Sequence, residues 1–441
     1  MFSRKDLTRL IIPLIVEQLF AATVGIADTL MVARVGEAAV SGVALVDAVN
    51  LLLINIFTAL ATGGAIITAQ YLGREDEAGA NRSAKQLFLI TVLFAMLIMA
   101  VSLVTNRQIL SLLYGRIEAD VMRNAQIYFY LSALSYPFMG AFNACAALFR
   151  TMNNSRVSML ASGLMNIVNI GGNALLIYGF HMGVAGAALA TLVARAVGAI
   201  LLVMLLCKPH YTIQFKQIFP LRFEWRTIKN ILRIGVPNGI ENSMFNIGKI
   251  MVQGIVAAFG TTAIAANAVA GNIASISMMI GSSVSMAAIT VVGRCVGAGD
   301  YKQASHYIKK LTGISQVMVT VIYILILILM NPILGLYDLS PAGTALARQM
   351  VVCVAVIGVL FWSVAFVLPS GLRAANDVTF SMVVAIFSMW LFRVAGGYLF
   401  SFSLGFGALG IWLAVGVDWL FRTVVFSVRL LRGKWKNKQI I

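Results

Sequence analysis

The chain has 441 residues, 60% of them hydrophobic and only 11% charged, with a formal net charge of +17 and a mean hydropathy of +0.91. A soluble domain carries about 25% charged residues, so a water-facing surface of ordinary extent is excluded and the chain reads as a polytopic membrane protein. Nucleic acid is excluded as the reason for the positive charge, because a basic patch must sit on a solvated face and these basic residues fall in short loops between apolar runs.

A spanning helix needs about 20 apolar residues. In chain order such runs lie at 7–33, 46–72, 84–105, 126–149, 157–178, 184–206, 229–257, 268–295, 308–331, 349–371, 378–402 and 407–430. The basic start "MFSRKDLTRL" precedes an apolar stretch too long for the core of a signal peptide, so it opens an uncleaved first helix. The segments "YGFHMG" and "FSLGFG" mark helix ends before spans six and twelve. One long polar connection, "CKPHYTIQFKQIFPLRFEWRTIKN", divides the chain into residues 1–207, a six-span bundle; 208–228, a cytoplasmic connecting loop; and 229–441, a second bundle with a basic tail.

The two halves repeat. At an offset of 224, "PLIVEQ" from Pro13 meets "PNGIEN" from Pro237, Gly36 meets Gly260 and Gly73 meets Gly297. One residue off that offset, "RTMNNSRVSM" from Arg150 meets "RAANDVTFSM" from Arg373. Six spans per half is an even number, so the copies are parallel repeats, an arrangement of secondary transporters with the substrate site between the halves. Lys and Arg set the orientation. With both termini inside, inner loops and tails hold about 24 of the 33, and the outer loops hold Arg34, Arg107, Arg116, Arg123 and Arg348.

No phosphate loop or nucleophile elbow is present, so the chain is not read as an enzyme. The cysteines Cys145, Cys207, Cys295 and Cys353 are dispersed and read as small apolar packing residues. His181, His210 and His306 fall in loops, so no metal site is expected.

The stretches "EQLFAATVGIADTLMVARVGEAAVSGVAL", "GVPNGIENSMFNIGKIMVQGIVAAFGTTAIAANAV", "NIVNIGGNALLIYG" and "GAALAT" resemble the multidrug and toxic compound extrusion (MATE) family, over all twelve spans. The resemblance implies an all-α membrane fold of two six-helix bundles in a V shape, exporting organic cations in exchange for protons or sodium. It implies that Asp28, in the "DTLMVG"-like motif of helix one, is the cation-coupling carboxylate. The family's fifth helix often has Asn followed four residues later by Asp. Here the pair is Asn169 and Asn173, one carboxylate fewer, and the sixth-helix threonine of "AALAT" is Thr191.

A carboxylate at membrane depth costs about 2.5–3.5 kcal/mol on insertion scales, so each one needs a use or a partner. The first half embeds Glu17, Asp28 and Arg195, leaving one carboxylate over; the second embeds Glu241, Lys249, Arg393 and Asp418, whose signs cancel as a mutual network. Glu17 has a repeat counterpart in Glu241 and reads as architectural, whereas offset 224 from Asp28 gives Val252, and an unshared charge favours function. Burial disfavours a charged carboxyl and amide hydrogen bonds favour it; a site balanced between the two can couple proton entry to cargo exit through differential affinity for two conformations.

The expected partners are small organic cations and membrane lipids, with no nucleic acid. The expected state is a monomer in the cell membrane, with no cofactor and a proton or sodium gradient as the driving force. Methionines and phenylalanines such as Met244, Phe245, Met278 and Met279 suit an adaptable pocket. The alternative reading is a flippase for a lipid-linked or amphipathic substrate; the surplus carboxylate of the first half favours cationic cargo over it.

Overall fold

The computed structural model describes residues 2–115, 118–215, 222–337 and 339–438, and among them every regular element is a helix. Arg116 of the outer positive set and residues 216–221 of the connection lie outside the described residues. Among the described residues ten helical spans are long and apolar enough to cross a membrane. We label the spans α1 (Arg4–Ala33), α2 (Glu37–Gly73), α3 (Glu77–Val104), α5 (Ser155–Gly179), α6 (Gly183–Leu206), α8 (Thr261–Gly297), α9 (Tyr301–Ile328), α10 (Pro341–Ala374), α11 (Val378–Ser403) and α12 (Leu409–Arg432). The eleventh, α4, is a pair, Ala119–Leu134 and Tyr136–Thr151, bent by 48° at Ser135 just before Pro137. The twelfth, α7 (Trp225–Ala257), is long enough but carries Arg226, Lys229, Arg233, Glu241 and Lys249, which dilute its apolar character.

Several helices outrun their expected apolar runs. α2 begins at Glu37 rather than near 46, and α10 at Pro341 rather than near 349. Helices continue through polar turns as long as their caps allow. Ser3 and Asp6 form a reciprocal capping box on α1, and Ser340 accepts the Gly343 amide ahead of Pro341 at the start of α10. Such caps satisfy amides that have no partner within the helix.

The repeat is written into the backbone. Pro13 lies inside α1 and Pro237 inside α7. Gly36 and Gly260, before α2 and α8, both have positive φ, at 134° and 87°, a conformation that glycine adopts without strain. Asp76 and Asp300 cap α3 and α9 through the amides of Gly79 and Gln303. Asn153 and Asn376, before α5 and α11, are left-handed at φ 61° and 69°. A short helix follows the third span of each half, Asn106–Tyr114 and Met330–Gly335.

The chain divides into two compact units, with a boundary between Val236 and Pro237. This boundary falls inside α7, later than the connection at 208–228. The reason is close packing: the first turns of α7 bury Ile228, Ile231 and Ile234 and cross α2 at Gly63, where a Cβ would lie 2.6 Å from the Ile231 carbonyl oxygen. The described part of the connection is also held to the first unit. Ile213 and Phe215 are buried, the Gln214 amide donates to Asn81 at 2.6 Å, and Gln86 donates to the Arg222 carbonyl at 2.7 Å. The core of the first unit gathers Val46 and Phe57 of α2, Tyr128, Phe129 and Tyr136 of α4 and Ala187 of α6.

Candidate functional site

Asp28 lies near the end of α1, which packs along α5. Asn169 and Asn173 are four residues apart on α5 and so share a face; both are buried, with Asn173 fully so. Thr191 stands on α6, which also packs against α5. These four side chains form one hydrogen-bonded chain. The Asn173 amide donates to Asp28 Oδ1 and, at 3.4 Å, to Asn169 Oδ1. Asn169 donates to Thr191 Oγ1 at 3.1 Å, and Thr191 donates to the Ala187 carbonyl at 3.0 Å. Every donor is spent inward, while the buried Asn173 Oδ1 has no protein partner. Directly after Asn173 the helix widens to a π-helical turn, Ala174–Gly179, a departure often found at functional sites.

Asp47 is a neighbour that sequence reasoning missed. It sits ten residues inside α2, where it accepts from Asn50 Nδ2 at 3.2 Å and from Tyr128 OH at 3.3 Å. Tyr136 OH in turn donates to Asn50 at 3.1 Å. Asp28 and Asp47 are within electrostatic range of each other, and Arg195 is within range of both. An apolar run taken from 46 leaves Asp47 at its edge and out of the embedded charges, whereas α2 begins at Glu37 and carries Asp47 well inside. Arg195 does not pair directly with Asp28. Its guanidinium donates to Ser135 Oγ at 2.7 Å, at the bend of α4, and among the described residues no ion pair joins the two.

Glu17 is elsewhere on α1, paired with Arg150 at 3.2 Å and accepting from Ser158 at 2.8 Å. Glu241 has the matching pair, Arg373 at 2.6 Å. Both arginines come from the repeated stretches "RTMNNSRVSM" and "RAANDVTFSM". The expected network of Glu241, Lys249, Arg393 and Asp418 is therefore corrected. Glu241 leaves it for Arg373, and Asp418 is shared by Arg393 at 2.7 Å and Arg422 at 2.8 Å. Lys249 stands over the Phe245 ring, 5.1 Å from its centroid. A further cluster, unforeseen, joins the buried Asp377 to Arg429 and to the more exposed Lys438, each at 2.7 Å. Among the described residues no group of His, Cys, Asp and Glu has the makings of a metal centre.

The family described as MatE matches residues 13–175 and 237–399, one copy in each half. A Thermotoga maritima protein described as "Probable multidrug resistance protein NorM" is 26% identical over 99% of this chain and 94% of its own length. "Uncharacterized transporter YisQ" of Bacillus subtilis is 26% identical over 97% and 94%. Among solved structures, an outward-facing multidrug resistance MATE family transporter of the MOP superfamily superposes with a TM-score of 0.90 at 18% identity, covering 98% of this chain and 97% of that one.

Proposed function

The chain belongs to the MatE family of membrane transporters, and from that premise we propose that it is a secondary antiporter exporting organic cations by alternating access, with Asp28 as the coupling carboxylate. The observation that carries this reading is the Asp28–Asn173–Asn169–Thr191 chain, within which the buried Asn173 Oδ1 has no protein partner. A proton on Asp28 removes the charge that the Asn173 amide and any bound cation both address. The carboxyl then loses its preference for the cation-accepting conformation, and a gradient of protons biases the two states through that difference alone.

The orphaned Asn173 Oδ1 also supports a second coupling ion. A carboxylate, two amide oxygens and a hydroxyl are hard oxygen donors of the type that suits a group 1 or group 2 cation, so sodium competes with the proton for the same residues. We place the chain in the cell membrane as a multi-pass protein with both termini cytoplasmic, on the distribution of Lys and Arg, and working as a monomer without a cofactor.

Expression in a host stripped of its own pumps tests export. The proposal predicts raised tolerance to cationic dyes with the wild type and background tolerance with Asp28→Asn present at equal membrane level. Unchanged tolerance with the wild type favours the flippase reading; equal tolerance with both forms makes Asp28 structural.

A further inference from the structure

The second unit places three cations around one aromatic ring. Phe245 and Lys249 are one turn apart on α7. The Lys249 ammonium is 5.1 Å from the Phe245 centroid, the Arg393 guanidinium of α11 is 5.0 Å from it, and the Arg422 guanidinium of α12 is 5.7 Å from it. One carboxylate, Asp418, answers all three, and it contacts only the arginines. Glu241, two turns from Lys249 on the same face of α7, is engaged by Arg373.

The three cations are not equivalent. Arg422 is satisfied: it bonds Asp418 through Nε, donates to the Ala385 carbonyl at 3.0 Å and lies over the Phe366 ring at 5.4 Å. Arg393 is buried, at 6% exposure, yet its Nε has no hydrogen-bond partner. It stands in a π-helical stretch, Met389–Ala395. Lys249 is accessible, repels Arg393 electrostatically and has no carboxylate within ion-pair distance among the described residues. An unmatched buried donor costs free energy until something accepts from it, and charged groups within membrane segments mark pathways for ions or substrates.

The repeat sharpens the contrast. At offset 224 the positions of Asp28 and Thr191 become Val252 and Val415, and Lys249 is one turn from Val252; at the offset of 223 that the arginine-led stretches keep, Asn169 and Asn173 become Phe392, next to Arg393, and Gly396. Where the first unit presents acid and amide, the second presents arginine and lysine.

We propose that Lys249 and Arg393, beside the Phe245 ring, form a binding site for the carboxylate of an aromatic, amphipathic cargo, so that zwitterionic molecules are preferred over purely cationic ones. The carboxylate accepts from the Lys249 ammonium and from the unpartnered Arg393 Nε, and the neighbouring ring excludes water from the contact. The proposal rests on the transporter reading only in calling the ligand a cargo; equilibrium binding tests it without any gradient.

The test uses the purified full-length protein in detergent and fluorescence anisotropy with a matched pair of probes, a rhodamine bearing a free carboxylate and its ethyl ester. The wild type should bind the acid about tenfold more tightly than the ester, the size of one charge-assisted contact. Lys249→Gln should abolish that preference and leave ester binding nearly unchanged, while Lys249→Arg should keep it. Equal binding of acid and ester by the wild type, binding of neither by folded protein, or a parallel loss of both with Lys249→Gln would each overturn the proposal. The wild-type comparison stands whether or not a variant folds.

Discussion

The carboxylates of this chain divide by what holds them. Glu17 and Glu241 each meet an arginine that lies just ahead of the helix turn leading into the fifth span of its half, Arg150 and Arg373. Breaking such a buried pair from one side costs about 3–5 kcal/mol, because the partner charge is left behind. Glu241→Gln should therefore lower the yield of monodisperse protein in size-exclusion chromatography, and replacing Glu241 and Arg373 together by apolar residues of similar volume should recover it. Normal yield with lost transport would move Glu241 from architecture to function. Asp28 is held differently, by the Asn173 amide rather than by an ion pair. Asp47 lies outside that hydrogen-bonded chain, on Asn50 and Tyr128. Asp47→Asn should consequently retain gradient-driven efflux that Asp28→Asn loses, read as dye release at equal protein level; matched losses would show that the two carboxylates act as one site.

Helices here are positioned by small contacts that leave no slack. A methyl group on Gly63 of α2 would meet backbone on both sides, the Ile231 carbonyl oxygen at 2.6 Å and the Gly235 amide nitrogen at 2.8 Å. Backbone does not yield as a flexible side chain does, and overpacking of this kind costs about 1–3 kcal/mol. Gly63→Ala should lower the midpoint of thermal unfolding in detergent, whereas Gly171→Ala, where a Cβ would meet nothing within 4 Å, should not. Caps set the ends. Asp300 holds the Gln303 amide, and that bond keeps its carboxyl below the usual value of 3.8. A lowered carboxyl contributes stability that is present above the unfolded value and lost as pH falls through the folded one. Asp300→Ala should lower stability at neutral pH, and the deficit should shrink as the pH falls through the folded value; a constant deficit across that range would mean that the charge plays no part in the cap.

Much of the architecture was legible because the repeat is carried by residues with backbone roles. Pro13 and Pro237, Gly36 and Gly260, and the arginine-led stretches all keep their spacing, and each pair proves to occupy the same structural position. Asp28, Asn169, Asn173 and Thr191 were expected together and do meet. Three features stayed hidden for physical reasons. Glu17 and Arg150 are 133 residues apart, and a long-range pair leaves no periodic trace. Asp47 hid at a span boundary, because hydropathy marks where apolar residues start and not where the helix does. Arg422 escaped the count of embedded charges, so the second half looked neutral when its cluster holds three cations and one carboxylate. The claim on which the functional reading turns is that Asp28 converts an ion gradient into transport. Dye efflux from proteoliposomes holding the wild type or Asp28→Asn, under a proton gradient alone and then a sodium gradient alone, tests it most directly. The account predicts that the wild type responds to at least one gradient and that Asp28→Asn responds to neither, at equal reconstitution; wild-type efflux from the Asp28→Asn vesicles under the same gradient would contradict it.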